Sequence, residues 1–149
     1  MISQKKKYEV IIQAGGVGSR LRHFTWNKPK CLVSYDGKPV LYHLFDVLEG
    51  SNFHIIADYQ INKIKKYFLI SPPKNKYKIY RTKDKGTCAG IKNVLKNIET
   101  NREIIIIWSD LIIRNIPPLK KSPTIFTTSS FMCRWSIQNK KIQEKPSFK

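Results

Sequence analysis

The chain has 149 residues, enough to bury one hydrophobic core with little left for a second, so a single domain over 1–149 is expected. Its 41% hydrophobic and 26% charged residues argue against a largely disordered chain, and no stretch approaches the roughly 20 apolar residues of a membrane helix. Against 10 Asp and Glu stand 28 Lys and Arg, a formal +18, which implies an anionic partner such as a polynucleotide, a membrane surface or a phosphorylated small molecule, although lysines scattered singly among Ile and Asn read mostly as a solvated surface.

In chain order, the basic start is followed by Val10 to Ile12 before Gln13 interrupts, too short an apolar run for a signal peptide. Glu9 to Ala14 reads as a buried strand entering a glycine loop. Val40, Leu41, Leu44, Phe45 and Leu48 recur at helical spacing and Gly50 stops them. Phe53 to Tyr59 reads as a second strand; Ile61, Ile64, Tyr67 and Phe68 place a helix that ends before Pro72 and Pro73. Lys76 to Tyr80 makes a third strand, Cys88 to Ile98 a helix with Ile91, Leu95 and Ile98 on one face, and Glu103 to Trp108 a strongly apolar fourth strand. This alternation predicts an α/β fold: a Rossmann-like, open, mainly parallel sheet with helices on both faces. Beyond Asp110 come short β-prone pieces, "TIFTTS", "MCRWSI" and "KIQEK", with a hairpin turning at Asn139 and Lys140. Cys31, Cys88 and Cys133 form neither a disulfide framework nor a zinc pattern, which fits a reducing cytoplasm.

The glycine loop "AGGVGSR" is the informative stretch. A P-loop requires a second glycine followed by Lys-Ser/Thr, and Arg20 or Leu21 stands there instead. A dinucleotide fingerprint started at Gly16 places Leu21 at its third glycine. What remains is Gly-Gly-x-Gly-Ser-Arg, eight residues, then Pro29-Lys30-x-Leu32. Glycines let backbone N–H groups close on a phosphate chain, and Arg20 and Lys30 add fixed positive charge, with Lys28 near them in sequence.

These motifs resemble those of the sugar-1-phosphate nucleotidyltransferases, whose signature is Gly-x-Gly-[Ser/Thr]-Arg-Leu followed by Pro-Lys-x-Leu. Three further segments match in order: "GTCAGI" resembles the family's Gly-Thr-x-x-Gly/Ala loop, "IIIIWSDLII" its strand ending in a metal-binding aspartate, and "KIQEKP" its Glu-Lys-Pro segment on the sugar side. The resemblance implies transfer of a nucleoside monophosphate from a nucleoside triphosphate to a sugar-1-phosphate, releasing pyrophosphate and making a nucleotide sugar for glycan or polysaccharide synthesis. Arg20 and Lys30 would then be the catalytic cations. Ala14, Gly15, Gly16, Gly18, Ser19, Gly86 and Thr87 would bind the nucleotide, with Gly90 near the base or sugar. Asp110 would hold Mg²⁺, and Glu144 and Lys145 would bind the sugar hydroxyls and the sugar phosphate respectively. At Thr87 an ordinary helix cap is the competing reading. His23, His43 and His54 read as structural or surface residues, since the substrate supplies the nucleophile.

Gln13 stands where the family has an apolar residue, His23 where a proline is common, and Trp108-Ser109-Asp110 where Gly-Asp is usual. Family members continue past Glu-Lys-Pro to a second metal-binding aspartate, so the chain is expected to lack the C-terminal part of the fold. Other readings are a catalytically weak nucleotide-binding or regulatory fragment, a phosphocholine cytidylyltransferase-like enzyme, and a basic nucleic-acid-binding protein. No groove-reading or stacking motif supports the last, so no nucleic acid partner is expected, and with no apolar span no membrane partner is expected. Oligomeric state is not legible.

Overall fold

The computed structural model describes residues 6–82, 86–99, 101–116, 123–125, 135–138 and 141–144. Residues to Ile116 form one compact unit and those from Pro117 another. The first unit is built on four parallel strands, β1 (Glu9–Gln13), β4 (Asn52–Ile56), β5 (Tyr77–Tyr80) and β6 (Ile104–Trp108), in the order β5-β4-β1-β6. Between β1 and β4 lie the two-residue strands β2 (Ser34–Tyr35) and β3 (Lys38–Pro39), followed by helix α1 (Val40–Val47). Helix α2 (Ile61–Ile70) connects β4 to β5, and α3 (Thr87–Leu95) connects β5 to β6.

Strand alternation sorts the core into two layers. Val10 and Ile12 pair in register with Phe53 and Ile55, and this face meets α1 and α2: Phe45 stacks edge-on to Phe53 at 4.7 Å, and Phe68 to Tyr77 at 4.7 Å. Leu41, Leu44, Ile64 and Phe68 are buried there. Ile11, Ile56 and Tyr80 point the other way and pack with Val94 of α3, flanked by Ile91 and Ile98. The chain moves outward from β1 through β4 to β5, then crosses back to pair β6 on the opposite side of β1. Since right-handed crossovers place the connecting helix according to the direction of travel, the reversal puts α3 on the face opposite α1 and α2. The expected open parallel sheet with helices on both faces is the observed one.

Several details differ from expectation. Leu95 is exposed, because Gly90 and Val94, four residues apart, face the sheet and the next position turns about 100° away. β6 is an edge strand among the described residues, with Ile104, Ile106 and Trp108 half-exposed on one face while Ile107 is buried on the other. Thr124 and Ile125 lie outside any strand, and the rest of "TIFTTS" lies outside the described residues. The C-terminal hairpin is present as β7 (Trp135–Gln138) against β8 (Lys141–Glu144), with Gln138 opposite Lys141. Its turn residues Asn139 and Lys140 lie outside the described residues. Among the described residues no helix is long and apolar enough to cross a membrane.

At the amino ends of the strands, buried Glu9 accepts from Asn52 Nδ2 (2.7 Å) and His54 Nε2 (2.7 Å), with Arg102 at 3.5 Å. A buried carboxylate needs this degree of pairing. His54 is therefore a structural residue, at the end of the sheet remote from the glycine loop. His43 donates to the Tyr35 carbonyl at 2.8 Å and is likewise structural.

Candidate functional site

In an open α/β sheet a crevice forms beyond the carboxyl ends of the strands where the strand order reverses. Here that point lies between β1 and β6, the strands that feed the glycine loop and the turn carrying Asp110. Ser109 N–H donates to the Gln13 carbonyl at 3.1 Å, extending the β1–β6 pairing into the turn. Ala14 N–H donates to Ile56 O at 2.8 Å on the other side, so buried Ala14 is the last residue held by the sheet before the loop departs.

Gly18 adopts φ +70°, and a Cβ there would sit 3.1 Å from both Lys30 Cβ and Thr25 Cγ2. The third glycine thus makes room for the stem of Lys30 and supplies a left-handed turn that an L side chain rarely adopts. Thr25 Oγ1 donates back to the Gly18 carbonyl at 3.0 Å, closing the loop over a 3-10 turn, Ser19–Thr25, on which Ser19 and Arg20 are exposed.

The Pro-Lys-x-Leu motif acquires a physical meaning. Pro29 and Leu32 are buried, as is Cys31, and Leu32 N–H donates to the Pro29 carbonyl at 2.9 Å. This short turn anchors the backbone and sends Lys30 toward the crevice, where its Nζ lies 2.6 Å from Asp110 Oδ2. Two residues 80 positions apart meet across the site.

The crevice encloses about 490 Å³ and is lined on its loop side by Gln13, Gly15, Gly16 and Lys30, a size suited to a small-molecule ligand. Asp58, beside Gly15, also lines it, together with Thr82, Gly86 and Gly90, and with Trp108 and Ser109 at the end of β6. Gly86 has φ +101° and caps α3. The helix-cap reading of Thr87 is thereby corrected: Thr87 is the first helical residue, and the cap position requires a conformation open to glycine. Gly90 is small for a packing reason, since a Cβ there would meet Ile56 Cγ2 at 2.7 Å.

Gly15, Gly16, Gly86 and Lys30 thus share one crevice, and Asp110 joins them through Lys30. Ala14, Gly18 and Ser19 shape the loop without lining the crevice, and Arg20 stands on the exposed turn beside it. Glu144 lies in β8 of the second unit, and Lys145 lies outside the described residues. Asp58, Gln13, Thr82 and Ser109 were missed. For Asp58 a signal existed, because a carboxylate two residues past a strand that pairs with β1 must fall at the same sheet end as the loop.

Residues 10–116 match the sequence profile of the MobA-like NTP transferase domain. The chain belongs to that family. Its matched span holds the glycine loop, the crevice and Asp110, and ends where the first compact unit ends. Among similar proteins, this NTP transferase chain is 28% identical over 142 residues to the CTP:phosphoglutamine cytidylyltransferase of Campylobacter jejuni, covering 85% of the chain and 54% of that protein. It is 40% identical over 63 residues to the glucose-1-phosphate cytidylyltransferase of Salmonella typhimurium, covering 40% of the chain and 24% of that protein. The crystal structure of HddC from Yersinia pseudotuberculosis superposes with a TM-score of 0.60 at 33% identity over 69% of the chain and 48% of HddC. The chain spans about half the length, or less, of each of these relatives.

Proposed function

We propose that this NTP transferase chain binds a nucleoside triphosphate in the crevice and transfers its nucleotidyl group to a sugar-1-phosphate, releasing pyrophosphate and forming a nucleotide sugar. The observation that carries this reading is the Lys30–Asp110 contact at 2.6 Å across the mouth of a glycine loop, in a crevice at the strand-order reversal. A cation and a carboxylate held together there match the needs of a reaction whose substrates are all anions. The kinship with nucleotidyltransferases named for glucose-1-phosphate supports the acceptor class.

In this reading the glycine loop N–H groups cradle the triphosphate, and Lys30 positions the α-phosphate and offsets its charge. An oxygen of the acceptor phosphate attacks the α-phosphorus and the bond to the bridging oxygen breaks, so pyrophosphate leaves. Arg20, beside the loop, offsets charge on that leaving group. No protein nucleophile is needed. Asp110 is the residue to hold Mg²⁺. Its carboxylate already takes the Lys30 ammonium as a cationic neighbour, and a single carboxylate plus phosphate oxygens suits this ion. The ion supplies charge neutralisation on the phosphates when bound. Glu144 and Lys145 are proposed for the sugar hydroxyls and the sugar phosphate respectively.

A second acceptor class follows from the relative that covers most of the chain, which is named for phosphoglutamine. The test is pyrophosphate release from CTP or UTP with Mg²⁺ and a panel of glucose-1-phosphate, phosphocholine and phosphorylated amino acids. Turnover with a phosphate acceptor, reduced about 100-fold or more in Lys30→Ala and Asp110→Asn, is the expected result. Triphosphate binding without turnover by any acceptor would support the binding-module reading instead.

A further inference from the structure

We infer that Asp58 reads the nucleobase and sets a preference for cytosine over uracil, an inference that rests on the nucleotide-binding reading above. Asp58 follows β4 by two residues and lines the crevice directly beside Gly15 of the glycine loop. Its two oxygens face different groups. Oδ1 accepts from the Thr82 backbone N–H at 3.1 Å, taking the position a next backbone rung between β4 and β5 would occupy after Ala57 N–H donates to Tyr80 O at 2.9 Å. Oδ2 turns to the first loop glycine, where a Cβ on Gly15 would stand only 3.2 Å away.

The bond to Thr82 holds the carboxylate plane, and a glycine at 15 lets Oδ2 sit against the loop backbone. The result is a fixed acceptor on a wall shared with Gly86 and Gly90, two positions without side chains to screen it. Phosphate oxygens and Oδ2 are both acceptors, so the triphosphate is steered to the Lys30 side and the base is left for the Asp58 side. Cytosine and uracil differ there in one decisive respect. The cytosine N4 amine donates a hydrogen bond, whereas uracil O4 would set acceptor against acceptor. A site built to receive a donor rejects the analogue lacking it more strongly than apolar contacts can. Relatives named as cytidylyltransferases and as a uridylyltransferase both occur, so the choice is an open variable within the kin of this chain.

The experiment is calorimetric titration of the whole chain with CTP and UTP, in wild type, Asp58→Asn and Asp58→Ala, with thermal unfolding as the folding control. Asn keeps an oxygen for Thr82 and presents an amide donor toward the base. Wild type is expected to bind CTP about 10-fold or more tightly than UTP; Asp58→Asn should reverse the order and Asp58→Ala should bring the two together. CTP and UTP both bound, with a ratio that Asp58→Asn leaves unchanged, would show that Asp58 is a strand-end cap and overturn the inference while leaving the proposed function intact. Equal weakening of both nucleotides in Asp58→Asn also overturns it, assigning the carboxylate to the phosphates or their counter-ion. Failure of wild type to bind either nucleotide overturns the crevice reading and this inference together.

Discussion

Cys31 sits next to Lys30 in sequence, yet the two side chains live in different media. Burial pushes the Cys31 thiol up to about 12, and its own backbone contact and the Lys30 charge lower it only in part. The thiol is therefore a small apolar group filling the space under the Pro29–Leu32 turn, while Cys88 is exposed. Brief treatment with iodoacetamide at pH 8 is expected to label Cys88 and leave Cys31 unmodified in the native protein, with both labelled in denaturant; peptide mass mapping reads the outcome. Equal native labelling would contradict the buried anchor. The same asymmetry fixes a sign: the folded value lies above the ordinary 9.0, so the associated stability is present below about pH 9 and declines as pH rises toward 12. Lys30, Gly15, Gly16 and Asp110 were legible as candidates because loop chemistry and motif order both point to them. For Asp58 only its place just past a strand was legible, since its role depends on the Thr82 N–H and the Gly15 backbone, two partners that the parallel pairing of β1, β4 and β5 brings together.

At the scale of elements, α3 shows how a glycine can serve packing and site at once. Gly90 lets the helix approach Ile56 so closely that an added methyl would meet Cγ2 at 2.7 Å. Gly90→Ala is expected to lower stability by about 1–3 kcal/mol through overpacking, less the ~1 kcal/mol that alanine gains in a helix. Gly16→Ala, with nothing within 4 Å of its Cβ, should stay within about 0.5 kcal/mol of wild type. Urea midpoints compare the two, and equal effects would mean that α3 does not seat against β4 this closely. Helices α1 and α2 were legible because their apolar stripes follow a single face, and β1, β4 and β5 because β-branched or aromatic runs end at turn signals. The stripe of α3 was misjudged at Leu95, as periodicity cannot tell that glycine, with no side chain, faces the sheet. The β2–β3 hairpin was overlooked despite its Asp36-Gly37 turn, both residues with positive φ, because strands of two residues carry no alternation to detect. The run Ile104–Trp108 was legible as a strongly apolar strand, but its edge position among the described residues depends on the strand order 5-4-1-6, which no local pattern encodes.

For the molecule as a whole, the formal charge of +18 acts both on stability and on ligand capture. Like charges spread over a surface repel in the compact state, so added salt of any kind should raise the unfolding temperature through screening. A specific phosphate site adds a different term, because a ligand bound only by the folded state stabilises by mass action in addition to screening. Tripolyphosphate, which offers the charge and spacing of a nucleotide's phosphates without a base, separates the two when compared with sodium chloride at equal ionic strength. At about 100 times its dissociation constant it should add about 2.7 kcal/mol, or roughly 5–10 °C in midpoint for a chain of this size. Lys30→Ala should abolish most of that excess and keep the sodium chloride response, since it removes one of 28 cations and, among the described residues, the one that lines the crevice. Identical responses of wild type to the two salts would place the basic charge on the surface alone and leave the glycine loop without an anion to hold. Because the probe has no base, it also isolates the phosphate half of the crevice from Asp58, so each half of the nucleotide reading stands on its own measurement.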